Sequence, residues 1–315
     1  MKVREASRTA EHMAFFPALE SGRPVRQRLF EDSYAIHFLP PALRRAVQIS
    51  RIPVLGALIP WYVDRRISGA RTSGVARTCL IDGLLRRALH DVMRQIVILG
   101  ADFDCRGYRI PGIDRSILFE VDHPATQSVK LGKLRRLLPQ LPEYVRFVPL
   151  DFDKQSLSAA LGGSGFDSRC PTAFIWEGVT NYLTAHGVDS VLRYVAGCAA
   201  GSLLIFTYVH RGVLDGSGLF ADAAELLLEL KRLGEPWTFG LNPDGLSAYL
   251  WARGLELEQN FCAPEYRALY YGPHGRNIKG YHFYQVAAAR VPHQSAQKAF
   301  LGSFTENNLC RREGA

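Results

Sequence analysis

Between residues 76 and 210 the chain alternates short, continuously apolar runs with segments of helical periodicity, and the first four of those runs stop at a glycine or an acid. QIVILG (95–100), SILFEVD (116–122), YVRFVPLD (144–151), TAFIWEG (172–178) and SLLIFTYV (202–209) are too short for ordinary helices. Continuous apolar runs of this length fit strands buried on both faces. Set between helical patterns, they predict an α/β fold built on a parallel sheet.

ARTCLIDGLLRRALHDVM (76–93) carries apolar residues at 80, 81, 84, 85, 88, 89 and 92, the spacing of one helix face. Further helices are expected over 128–138 and 186–199. LELEQNF (255–261) and YHFYQVAAA (281–289) supply two more strands, making a mostly parallel sheet of seven. The expected organisation is an N-terminal helical extension (1–75), an α/β core (76–210), a helical insertion serving as substrate lid (211–254), the last core strands (255–292) and a polar tail (293–315). Within the extension, IPVLGALIPWYV (52–63) has twelve residues and two internal prolines, whereas a membrane span needs about 20. It reads as a buried helix or part of a lid, with an interfacial anchor as the minor reading.

The chain carries 38 Lys and Arg against 30 Asp and Glu, a formal charge of +8. The basic residues are scattered, without a dense tract or a nucleic-acid-binding signature, so a solvated surface that attracts an anionic substrate is the expectation. Neither nucleic acid nor a membrane is expected as a partner. Six cysteines without a CxxC pair argue against a zinc site and for reduced thiols. The N-terminus lacks a signal-peptide pattern, and the expected location is the cytoplasm.

The chemistry is expected where an α/β sheet binds nucleotides, at the carboxyl ends of its strands. The first such turn is Gly100-Ala101-Asp102, which has neither the GxxxxGK of a phosphate loop nor the glycines of a dinucleotide fingerprint. Asp122 ends the second run 22 residues later, where an acid can accept from both ribose hydroxyls. Asp151 ends the third run, within reach of an adenine amino group, and Glu177 ends the fourth. A single acid at a strand end is more often a helix cap. Four consecutive strand ends bearing Gly, Asp, Asp and Glu read instead as an adenosine site without phosphate-binding equipment, which favours S-adenosylmethionine over NAD or ATP.

The stretches ARTCLIDGLL, QIVILGADFDCRGYRI, ILFEVDHPATQ, VRFVPLDFD, TAFIWEGVTNYLT and GEPWTFGLNPDGL resemble the leucine carboxyl methyltransferase family, over roughly residues 7–290. The resemblance is to its bacterial branch, which includes methyltransferases of aromatic polyketide pathways and antibiotic biosynthesis. It implies a class I, Rossmann-like methyltransferase sheet with a helical lid. By resemblance, Arg77 pairs with the methionine carboxylate of the cofactor and Arg8 supplies a second positive group. Gly100 and Ala101 lie under the methionine and ribose, Asp122 with its neighbour His123 holds the ribose, Asp151 and Phe152 frame the adenine, and Glu177 meets the amino end. The family usually reads GAG in the first turn, where this chain reads GAD. Asp102 therefore either opposes the methionine carboxylate or engages the ammonium or sulfonium charge.

The implied reaction is O-methylation of a small molecule, free or tethered to a carrier protein, possible on a carboxylate without a general base and on a phenol only with one. His123 and His210 are the base candidates, with a structural role the nearer expectation for His123, and no other catalytic residue is assigned. Trp61, Tyr62, Tyr182, Tyr208, Trp237 and Phe239 are expected to line an aromatic acceptor pocket. Arg65, Arg66 and Arg211 are expected near an acidic substrate group. Asp102 also motivates an alternative: a non-methylating cyclisation or rearrangement on the same fold.

Overall fold

The computed structural model describes residues 8–52, 56–91, 93–152, 154–220 and 223–293. Its centre is β1 (Gln95–Leu99), whose five residues are all buried. β1 pairs in parallel with β2 (Ile117–Asp122) on one side and β4 (Thr172–Trp176) on the other. β3 (Val145–Pro149) extends the sheet beyond β2, and β5 (Leu203–Val209) beyond β4, both in parallel. β7 (Tyr284–Arg290) then runs antiparallel between β5 and the edge strand β6 (Glu256–Cys262). The order is β3-β2-β1-β4-β5-β7-β6. The chain reverses its winding between β1 and β4, which opens a crevice at their carboxyl ends.

Alternate side chains of each central strand enter two different cores, as a pleated strand buried on both faces requires. Val97, Leu99, Phe119, Phe174, Trp176, Leu204 and Phe206 face one side. That side is covered by α8 (Leu157–Gly163), α9 (Ala185–Ala196) and α11 (Leu246–Trp251), through Leu161, Val188, Leu192, Leu246 and Leu250. Ile96, Ile98, Leu118, Ile175 and Ile205 face the other side, against α5 (Ala70–His90) and α12 (Ala263–Tyr271). α5 begins six residues before the expected start at 76, because Gly69 at φ 79 turns the chain and Ala70 is already buried. α12 follows β6 directly, a helix that the residue pattern did not suggest.

The N-terminal segment forms α1 (Arg8–Ser21), α2 (Ala35–Phe38), α3 (Pro41–Ser50) and α4 (Leu58–Arg66). Their shared core holds Phe15, Leu19, Phe38 and Val47, and it also takes Phe103 from the turn after β1 and Leu134 from α7 (Pro124–Leu137). The extension is thus packed onto the crevice. α6 (Arg106–Arg109) follows the turn after β1, and α10 (Ala224–Leu233) lies in the insertion. α11 of the same insertion covers the sheet rather than the crevice. α4 departs from the expected buried helix: none of its residues is buried. Among the described residues no helix is long and apolar enough to cross a membrane. The expected polar tail lies, beyond His293, outside the described residues.

Candidate active site

A cavity of about 440 Å³ opens at the carboxyl ends of β1, β2, β3 and β4. Gly100, Ala101 and Asp102 form its floor, Asp122 and His123 one wall, Asp151 and Phe152 the next, and Glu177 and Gly178 the side towards β4. α1 contributes Met13, Ala14, Phe16 and Pro17, and α5 contributes Gly74, Arg77 and Thr78. Residues 234–236 and Thr238 close the side nearest the insertion.

The turn after β1 is shaped by two left-handed residues, Gly100 at φ 69 and Asp102 at φ 31. At Gly100 a Cβ would stand 2.3 Å from Val179 Cγ2, so packing as well as conformation demands glycine. Gly100 thus owes its identity to its neighbour Val179 as well as to its place in the cavity lining. Asp102 holds a conformation costly for an L-residue with a side chain. The buried Lys130 of α7 fastens this turn, with its Nζ donating to Asp104 O at 2.7 Å and pairing with Glu120 at 2.7 Å.

Asp122 Oδ1 accepts the His123 amide at 2.6 Å, whereas Oδ2 is buried and makes no well-formed hydrogen bond, although the Asp102 amide also lies against the carboxylate. A buried carboxylate oxygen left unpaired is expensive unless a ligand group completes it. Burial, countered by the His123 amide, raises the Asp122 carboxyl above its ordinary value. Burial and then the Asp122 charge raise Asp102 well above its own. Asp151 is engaged by Lys154 at 2.9 Å and lies 3.9 Å from His123 Nε2.

Glu177 is the hub of an ion network that the sequence did not suggest. Arg77 Nε donates to it at 2.7 Å and Arg106 Nη1 approaches at 2.8 Å. Arg106 also binds Asp82 at 2.7 Å and Asp104 at 2.5 Å. Asp82 binds Arg109 at 2.5 Å, and Arg109 reaches Asp32 at 3.3 Å. Burial pushes Glu177 up, but Arg106 and Arg77 together outweigh it and hold the carboxyl at about 2. Three guanidinium groups face four carboxylates here, drawn from α5, α6 and three loops. The only sequence signal was the charge pattern of DCRGYR (104–109), whose partners lie far away along the chain.

Other expected residues lie elsewhere. Tyr182 lines the cavity, but Trp61 and Tyr62 stand on α4, each 57% exposed. Tyr208 is fully buried and donates to Asn260 Oδ1 at 3.1 Å. Trp237 packs against Tyr182 and Phe283, and Phe239 joins the sheet core, so neither borders the cavity. Arg211 is exposed beyond β5, and Arg65 and Arg66 are exposed at the end of α4. His123 caps α7, its Nδ1 accepting from the Ala125 amide at 3.2 Å. His210 likewise accepts the Gly212 amide at 2.9 Å and lies away from the cavity. The Arg8 side chain lies outside the described residues. The five described cysteines are unbridged, and among the described residues no His, Cys, Asp and Glu cluster could hold a metal.

The family model for leucine carboxyl methyltransferase matches residues 10–196. A putative S-adenosyl-L-methionine-dependent methyltransferase of Frankia alni is 35% identical over 244 residues, covering 74% of this chain and 80% of that protein. YktD of Bacillus subtilis, of the same description, is 26% identical over 226 residues, covering 71% and 73%. Among solved structures, a putative methyltransferase from Thermobifida fusca superposes with a TM-score of 0.54 at 17% identity, over 89% of this chain and 94% of that one.

Proposed function

The chain belongs to the leucine carboxyl methyltransferase family, and from that premise we propose that it methylates an oxygen of a small molecule, with S-adenosyl-L-methionine as donor. It is a methyltransferase of the class I fold. The observation that carries the cofactor reading is Asp122 Oδ2, buried and unpaired at the cavity wall, in a crevice without a phosphate loop. A ribose hydroxyl is the donor that such an oxygen lacks.

In this reading Asp122 holds the ribose, with His123 beside it, and Asp151 and Phe152 flank the adenine. The Gly100–Asp102 turn lies under the methionine and ribose. Arg77 and Arg8 meet the cofactor carboxylate, and Glu177 meets its amino group. Glu177 suits that task because the two arginines keep it ionised throughout the neutral range. When bound, the cofactor supplies a methyl carbon made electrophilic by its sulfonium. The chain's contribution is to align the acceptor and to exclude water, which strengthens every charge interaction inside the crevice.

The acceptor side of the cavity is apolar, with Ala14, Phe16, Pro17, Phe103, Tyr182 and Leu183. That lining supports a flat aromatic acid or phenol, of the kind made in bacterial secondary metabolism, including aromatic polyketide intermediates and antibiotics. A carboxylate acceptor needs no base, which agrees with the capping roles of His123 and His210. A cytoplasmic location without nucleic-acid partners belongs to the same reading.

The test is incubation with methyl-labelled S-adenosylmethionine and a panel of aromatic carboxylates and phenols. Label released by mild alkali marks an ester, and alkali-stable label marks an ether. Asp102, standing where the family usually has glycine, motivates a second reading, a cyclisation or rearrangement. Acceptor conversion without label transfer would select it.

A further inference from the structure

Twelve large hydrophobic residues are exposed on the described surface, and six of them fall between residues 49 and 67: Ile49, Ile52, Leu58, Trp61, Tyr62 and Ile67. An apolar concentration of that kind on one hairpin marks an interaction surface. α4 shows how it is built. Ile59 and Val63, one turn apart, pack onto the N-terminal core and fix the helix in place. Leu58, Trp61 and Tyr62, at i, i+3 and i+4, form a second apolar stripe that faces solvent.

The charge of the hairpin identifies what covers it. Residues 41–67 contain five arginines, at 44, 45, 51, 65 and 66, and one acid, Asp64. Asp64 is engaged by Arg71, at 2.9 Å from its Nε. Arg65 stands over the Trp61 ring at 5.6 Å, so a cation borders the aromatic stripe. A second copy of the chain is a poor occupant, because a two-fold contact would set these arginines against themselves. An anionic lipid bilayer complements both features: aromatic and aliphatic side chains enter the headgroup boundary while arginines bind lipid phosphates.

We propose that the α3–α4 hairpin is a membrane-surface element, by which the enzyme docks peripherally on anionic phospholipid through Leu58, Trp61, Tyr62, Arg65 and Arg66. This departs from the sequence expectation of no membrane partner. The reason is that the 52–63 stretch was read first as a buried helix or part of a lid, with an interfacial anchor only the minor reading, whereas Leu58, Trp61 and Tyr62 are presented outward.

The experiment is sedimentation of the full chain with vesicles of phosphatidylcholine, or of phosphatidylcholine mixed with phosphatidylglycerol, at low and high salt. The wild type is expected to bind the mixed vesicles, to bind the neutral ones little, and to be released by salt. Trp61→Ser with Tyr62→Ser weakens binding by roughly tenfold or more. Arg65→Gln with Arg66→Gln weakens it by about fivefold per arginine. Both pairs are solvent-facing, and an unchanged thermal midpoint verifies their fold. Absence of binding to mixed vesicles overturns the proposal, as does equal binding to neutral ones or binding unaffected by both variant pairs. A concentration-dependent dimer dispersed by Trp61→Ser with Tyr62→Ser would assign the face to a second copy instead.

Discussion

Arg106 and Glu177 meet at 2.8 Å across the point where the sheet reverses its winding, one following β1 and the other following β4. The pair ties the two lips of the crevice together. It also sets the charge state of the acid that faces the cofactor's amino group in the proposed reading.

Glu177→Gln leaves Arg106 and Arg77 without that carboxylate and is expected to cost about 3 kcal/mol at neutral pH. The folded-state value of Glu177, about 2, lies below the ordinary 4.5. Its stabilisation is therefore fully present above pH 4.5 and is lost as the pH falls towards 2. Urea unfolding of both proteins between pH 3 and 7 checks this: the gap between them should be constant above about pH 5 and should narrow towards pH 3.

Asp82 is fully buried and binds both Arg106 and Arg109. Asp82→Asn is expected to destabilise by about 3–5 kcal/mol, because buried guanidinium groups lose their counter-charge. Asp64→Asn, at a partly buried bidentate pair with Arg71, should cost less, about 1–2 kcal/mol. Denaturant midpoints of the two variants provide the contrast.

Asp102 combines a left-handed backbone with a carboxyl raised well above its ordinary value by burial and by Asp122. A raised folded value means stability that is present at low pH and lost as the pH rises through that value. Asp102→Asn should therefore raise the thermal midpoint more at pH 8 than at pH 4. Asp102→Gly removes the same carboxyl and should show the same pH dependence, with about 1 kcal/mol more than Asp102→Asn at both values from relief of the backbone.

Gly100→Ala is expected to cost about 3 kcal/mol, part from the left-handed backbone and part from collision with Val179. Combining it with Val179→Ala should recover the collision part alone. A double-mutant cycle by chemical denaturation separates the two.

Much of the fold was legible because its central strands are buried on both faces and so appear as unbroken apolar runs. Asp122, Asp151 and Glu177 were visible for the same reason: each closes a run. The ion network was not, since Asp32, Asp82, Arg106 and Glu177 come from elements far apart in sequence and no local period joins them. The exposed aromatics failed in the opposite way. Trp61 and Tyr62 sit in a stretch apolar enough to be read as buried, and only tertiary packing decides which face of such a helix meets the core. Tyr208 alternates into the sheet core by strand period, although it was expected with the other aromatics to line the acceptor pocket.

The most direct test of the central claim is calorimetric titration of S-adenosylmethionine into the wild type and into Asp122→Asn. Micromolar binding by the wild type, weakened at least about a hundredfold in Asp122→Asn, is the predicted result, since the amide cannot replace an ionised acceptor of two hydroxyls. An absence of binding by the wild type, or equal binding by both proteins, would contradict it.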